Sequence, residues 1–238
     1  MSKTAHPAAG DEIVATSETL PKKSRVFVVD DHTMFREGLR QLIDHESTLA
    51  VCGDAADATE AMRGIRESKP DVVLVDISLA GTSGIDLIKS IKSEFEDLPV
   101  LVVSMHDESL YAERALRAGA MGYVMKHEPA KVMKSAIYKV LSGGMALSEK
   151  MSSSVIAKLM HGQSDAPASP IERLSDRELE VFRALGQGKS VRRIAEDLSL
   201  TIPTINSFRH RIKEKLGFKS STEVLLHAIQ WVQDDGAK

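Results

Sequence analysis

Val72-Val73-Leu74-Val75-Asp76 is the stretch that decides the fold. Its apolar residues run without alternation, most of them β-branched, and stop at a carboxylate. Such a run reads as a strand buried on both faces, the mark of a parallel sheet. Three other runs share the pattern. Val26-Phe27-Val28-Val29 stops at Asp30-Asp31, Val100-Leu101-Val102-Val103 at Ser104, and Gly122-Tyr123-Val124-Met125 at Lys126. Open parallel sheets bind ligands outside the carboxyl ends of their strands. Three carboxylates, a hydroxyl and an ammonium are therefore expected at one spot. That set suits a hard divalent cation and a phosphoryl group.

Helical patterns fill the spaces between these runs. Met34, Phe35, Leu39, Leu42 and Ile43 recur at helical spacing, and further helices are expected from Ala58, around Ile85–Ile91, over Leu110–Ala118 and over Ala130–Leu141. Val51-Cys52-Gly53 supplies a short extra strand. Five strands alternating with five helices predict an α/β doubly wound, five-stranded parallel sheet. Beyond it, one more helix is expected within residues 148–160, then a Gly/Ser/Ala/Pro-rich linker, then a small all-α segment. The expected division is a disordered tail over 1–24, the sheet domain over 25–147, a linker with a helix over 148–170, and a helical domain over 171–234.

Composition narrows the classes. A chain of 238 residues favours two modest domains, and 42% apolar residues suffice for both cores. The net charge of -3 means that any nucleic-acid signal must be local. A lone cysteine, Cys52, rules out an internal disulfide framework and fits a reducing, cytoplasmic setting. No secretory leader and no apolar run of membrane-spanning length is found, so no membrane partner is expected.

The acidic set has a coherent chemistry. Crowded carboxylates repel one another, and a cation relieves them. Magnesium prefers oxygen ligands, which Asp30, Asp31, Asp76, a backbone carbonyl at Ser78 and waters would supply. An aspartate can act as a nucleophile toward phosphorus and form an acyl phosphate. Lys126 and Ser104 are the right types to hold phosphoryl oxygens. Each residue also has a plain structural reading: a turn and cap at Asp30-Asp31, a helix cap at Ser104, a surface lysine at Lys126. Their joint position at successive strand ends is what argues for function.

Residues 25–147 resemble the receiver domain of two-component response regulators, a flavodoxin-like fold, with Val103-Ser104-Met105-His106-Asp107-Glu108 closest to the NarL/FixJ type. The resemblance implies that Asp76 accepts a phosphoryl group from a histidine kinase or small phosphodonor. It implies that Asp31 binds Mg2+ directly and Asp30 through water. Ser104 and Lys126 then sense the phosphoryl oxygens, and Tyr123 is the switch aromatic. One departure is Ala80, where the family usually has proline, whereas Gly84 is retained.

In the helical half, Ser175-Asp176-Arg177-Glu178 forms a capping box, with Leu174 and Leu179 as a hydrophobic staple. Ser190 opens a second helix and Thr201 a third, with Pro203 tolerated in the first turn and Gly217 closing it. Helices joined at Ser199-Leu200-Thr201 make a helix-turn-helix, whose second helix carries Arg209, Arg211, Lys213 and Lys215. Lys189, Arg192 and Arg193 could reach phosphates. Gly188-Lys189-Ser190 mimics a phosphate-binding loop, but Arg183 stands where that motif needs glycine and no strand precedes it.

The stretch from Leu174 to Trp231 resembles the LuxR-type helix-turn-helix, through Leu174-Ser175-x-Arg177-Glu178, Ile194-Ala195, Thr204-Ile205 and Lys215-Leu216-Gly217. By that resemblance Asn206, Ser207 and His210 face base edges of double-stranded DNA. Thr204, Arg209 and Arg211 are the candidates for backbone contact. Phe208 and Pro203 depart from the usual histidine and lysine. The last helix is expected to expose Val224, Leu225, Ala228, Ile229 and Val232; the resemblance implies that it pairs two such domains, the plain reading is packing within its own domain, and one helix can serve both. The function expected is phosphorylation-dependent transcription regulation as a homodimer, without separate enzymatic turnover. The rival is a Mg2+-dependent phosphatase with an aspartyl nucleophile. It requires a second acid two residues after the nucleophile, where Ser78 stands.

Overall fold

The computed structural model describes residues 23–160 and 170–235. Its first half alternates β1 (Ser24–Val29), α1 (Thr33–Asp44), β2 (Leu49–Ala55), α2 (Ala58–Ser68), β3 (Val72–Val75), α3 (Gly84–Glu94), β4 (Val100–Ser104), α4 (Glu108–Arg117), β5 (Gly122–Met125) and α5 (Ala130–Leu141). Then come α6 (Glu149–Met160), a 3₁₀ turn (Pro170–Arg173), α7 (Asp176–Gly186), α8 (Val191–Asp197), α9 (Ile202–Leu216) and α10 (Ser221–Asp235). Residues 1–22 of the tail expected over 1–24, and 161–169 of the linker expected over 148–170, lie outside the described residues, while Ser24 already belongs to β1.

The five strands are all parallel, in the order β2-β1-β3-β4-β5. Side chains leave a strand alternately to its two faces. Phe27, Val29, Val73, Val75, Val100 and Val102 pack toward one core with Ala61, Ile88 and Tyr111 from α2, α3 and α4. Val26, Val28, Leu74, Leu101 and Val103 pack toward the other, with Leu39 and Ile43 of α1 and Ile137 of α5. Both faces are covered, so the runs Val26–Val29, Val72–Val75 and Val100–Val103 are apolar at every position and show no alternation. The strand order reverses between β1 and β3, which makes their carboxyl ends the switch point where such sheets bind ligands.

Local chemistry fixes the helix starts. Asp57, Ser83 and Asp107 accept hydrogen bonds from the first-turn amides of α2, α3 and α4. In the helical half Ser175 and Glu178 form the reciprocal capping box, and Ser190 and Thr201 cap α8 and α9. Gly217 ends α9 at φ 72°, a left-handed conformation that glycine adopts freely.

The last helix corrects one expectation. Val224 and Ala228 are buried, not exposed, while Leu225 and Leu226 face outward. Val224, Ala228 and Val232 share one stripe at four-residue spacing. That stripe lies on α7: a side chain at Gly186 would come within 2.3 Å of the Ala228 carbonyl and 2.6 Å of Val232. Packing within the domain therefore takes this face.

Candidate functional site: an acidic pocket and a helix-turn-helix

The ends of β1, β3, β4 and β5 bring Asp30, Asp76, Ser104 and Lys126 together. Lys126 Nζ lies 2.6 Å from Asp30 Oδ2 and 2.7 Å from Asp76 Oδ2, with its side chain only 5% exposed. Its ammonium also sits over the Phe35 ring, 4.6 Å from the centroid. A buried lysine bridging two carboxylates is not a solvated surface lysine. Nor is Ser104 a helix cap: Asp107 caps α4, and Ser104 is fully buried at the end of β4. Its hydroxyl accepts from the His106 amide at 3.2 Å.

Asp76 is 2% exposed. Burial pushes its carboxyl up to about 6, against the opposing pull of the Lys126 ammonium, and the Asp30 charge adds to the rise. Its Oδ1 has no hydrogen-bond partner. An unpartnered buried carboxylate oxygen is costly and suits a cation. Asp30, Asp31, His32 and Asp76 offer ligand atoms that all lie within 4.8 Å of one another. Sequence reasoning had not included His32, whose Nδ1 lies 2.7 Å from Asp31 Oδ1. Gly84 closes the loop after Asp76. A Cβ there would lie 1.9 Å from the Asp76 carbonyl oxygen, so only glycine lets α3 start against the end of β3.

The loop residues form a second layer. The Ser78 hydroxyl and His106 Nε2 are 2.6 Å apart, and the Tyr123 hydroxyl donates to the His106 carbonyl at 2.8 Å. The His106 ring lies 4.6 Å, centroid to centroid, from Tyr111 of α4. Burial, with several nearby cations, holds its imidazole down at about 4, so it is neutral. His106 thus joins the loop after Asp76 to Tyr123 and to α4, a position for which its spacing gave no signal.

The helical half docks beside this pocket. Arg177 of α7 donates to the Leu79 carbonyl and to Glu180 Oε2, each at 2.6 Å. Arg114 of α4 donates to the Leu174 carbonyl at 2.7 Å and to Asp176 at 3.1 Å. Arg177 and Glu180 are 8% and 4% exposed. Burial pushes the Glu180 carboxyl up to about 7 despite Arg177, with the Asp176 and Asp76 charges adding to the rise. Tyr111 Oη, Arg177 Nε, Glu180 Oε1 and Arg183 Nη1 are buried without hydrogen-bond partners. Leaving such groups without partners costs free energy at this contact.

On α9, Asn206, Ser207, His210 and Arg211 are exposed, and Thr204 and Arg209 are partly so. Arg209 donates to Asn206 Oδ1 at 3.2 Å, and Arg211 lies 5.5 Å from the centroid of the Phe208 ring. Lys189 is paired with Asp197 at 2.7 Å and Arg192 with Glu196 at 3.2 Å. Those two cations would have to exchange partners to meet phosphates.

A family model described as response regulator receiver domain matches residues 26–138. A second, described as bacterial regulatory proteins, luxR family, matches residues 172–228. The oxygen regulatory protein NreC of Staphylococcus aureus is 30% identical over 210 residues, spanning 87% of this chain and 97% of NreC. This chain belongs to the LuxR-type two-component response regulators. Among solved structures of such regulators, RcsB of Salmonella typhimurium superposes with a TM-score of 0.61 at 25% identity, over 88% of this chain and 98% of RcsB. RcsB bound to a promoter in the presence of a phosphomimetic superposes at 0.56 and 25%, over 87% of this chain and 98% of that one. A LuxR-family response regulator from Aurantimonas sp. SI85-9A1 is 36% identical over 58% of this chain and 99% of its own, with a TM-score of 0.54. Among the described residues, no helix of this response regulator is long and apolar enough to cross a membrane.

Proposed function

We propose that this chain is a cytoplasmic transcription regulator whose DNA binding is controlled by phosphorylation of Asp76. The observation that carries the reading is the Lys126 ammonium held between Asp30 and Asp76 at the switch point of the sheet. Asp30, Asp31, Asp76 and the Ser78 carbonyl are the groups to hold Mg2+. When bound, the ion neutralises charge on the transferring phosphoryl oxygens. The Asp76 carboxylate attacks the phosphorus of a histidine kinase phosphoimidazole or of a small acyl phosphate. The new P–O bond forms as the bond to the imidazole or carboxylate breaks. Lys126 then has a phosphoryl oxygen to pair with in place of bare carboxylates, and the Ser104 hydroxyl can turn to donate to another.

Coupling runs through the docked helix. The acyl phosphate carries roughly two negative charges where the bare Asp76 carboxylate carried one, and that charge already opposes ionisation of buried Glu180. Both that repulsion and movement of the Leu79 carbonyl weaken the hold on Arg177. The base-facing residues of α9 are exposed in the docked form, so release does not uncover them. It frees two helical domains to pair. Pairing raises effective concentration and can strengthen DNA binding by about 10²–10⁴ with no new contact. The phosphatase reading lacks its acid, because Ser78 carries no proton donor of that kind and engages His106 instead. Intact-mass analysis with a small acyl phosphate and Mg2+ tests the assignment. One phosphoryl group should appear on the wild type and none on Asp76→Asn; equal uptake by the variant would overturn it.

A further inference from the structure

The first residue of α9 is an aliphatic side chain turned to solvent. Ile202 is 47% exposed, whereas Ile205 and Ile212 of the same helix are fully buried and Phe208 and Leu216 partly so. Residues four and seven to eight apart share a helix face, so Ile202 extends the stripe that continues through Asn206, Arg209 and His210. Two residues of that stripe, Asn206 and His210, are among those expected to face base edges. In the major groove every base pair shows donors and acceptors, but only thymine adds an apolar group, its C5 methyl. The N-terminal residues of a recognition helix are the ones that reach base edges.

The local backbone favours a fixed contact. Pro203 follows in the first turn, and its ring locks its own φ. At this position the proline sacrifices no intrahelical hydrogen bond. The β-branched side chain is itself stiff at χ1. Thr201 caps the turn by accepting from the Thr204 amide at 3.3 Å. An aliphatic group held this way loses little freedom on contact.

We propose that Ile202 is a specificity-determining residue that packs on a thymine C5 methyl in the major groove, beside the base met by Asn206. The proposal rests on the DNA-binding reading above and adds a required T·A pair in each half-site. The test uses the phosphorylated full chain and a duplex chosen by selection from random DNA. Each thymine in turn is replaced by deoxyuridine, which removes only the methyl. Burying one methyl is worth about a fourfold change in affinity. The wild type should lose roughly threefold to fourfold at one thymine per half-site. Ile202→Ala should bind the unmodified duplex more weakly by a similar factor and be indifferent to deoxyuridine at that position alone. Ile202→Val should keep the sensitivity. Insensitivity of the wild type at every thymine would overturn the proposal, as would equal sensitivity in Ile202→Ala. Failure to select any duplex would instead overturn the DNA-binding reading beneath it. Because the side chain is half exposed, matched thermal melting of the variants is expected, which separates a lost contact from a lost fold.

Discussion

Replacing Arg177 with methionine should switch this regulator on without phosphorylation. The guanidinium makes two buried hydrogen bonds, one across the domain boundary to the Leu79 carbonyl and one to Glu180, both at 2.6 Å. A hydrogen bond to a charged group contributes about 1.5–3 kcal/mol. Glu180 already ionises only at about 7 in the docked form, so without Arg177 it takes up a proton instead of standing as a bare charge, and the loss that falls on the docked form is that of the charge-assisted bond to the Leu79 carbonyl. A shift of that size moves the docking equilibrium by roughly tenfold to a hundredfold. Small-angle scattering of the unphosphorylated variant should give a larger radius of gyration than the wild type. Fluorescence anisotropy should show DNA affinity near that of the phosphorylated protein. Adding Glu180→Leu should restore part of the compactness, since no unpartnered carboxyl then remains buried. A compact Arg177→Met variant that still needs phosphorylation would refute this account of coupling.

Four further outcomes follow from the same geometry. Glu180 ionises at about 7 when docked, against an ordinary 4.5. The docked form therefore binds its proton more tightly, and docking should be fully supported below the ordinary value and weaken as pH rises through about 7; scattering across that range should show expansion with rising pH, and Glu180→Gln should flatten it. Gly84→Ala should destabilise the receiver half by about 1–3 kcal/mol, since the new methyl collides with the Asp76 carbonyl; urea unfolding measures it, and an unchanged midpoint would contradict the close approach. Arg211→Ala should weaken binding to all duplexes and reduce the salt slope by about one unit, whereas His210→Ala should alter preference at particular bases by about 1 kcal/mol.

The sheet and its pocket were legible because each strand end carries its own signal. Val75-Asp76 and Met125-Lys126 place a charge where a doubly covered strand stops, and no tertiary information is needed to see it. The capping box at Ser175–Glu178 is equally local. Contacts between separate elements left no such trace. Arg177 was readable as part of a helix start, but its second partner, the Leu79 carbonyl, is a backbone atom in the other domain. His106 is an ordinary loop residue until folding sets it between Ser78, Tyr123 and Tyr111. For α10, periodicity gave an apolar helix but could not tell the face toward α7 from the one toward solvent. Gly186, which admits the close approach, lies far away in sequence.

The central claim is that phosphorylation of Asp76 makes paired domains on DNA. Sedimentation of a fluorescent duplex carrying two half-sites, titrated with full-length protein, reads affinity and stoichiometry together. With a small acyl phosphate and Mg2+ present, the account predicts two protein chains per duplex and a gain in affinity of about 10²-fold or more, absent in Asp76→Asn. A wild type that gains affinity while remaining one chain per duplex, or an Asp76→Asn variant that gains equally, would contradict it.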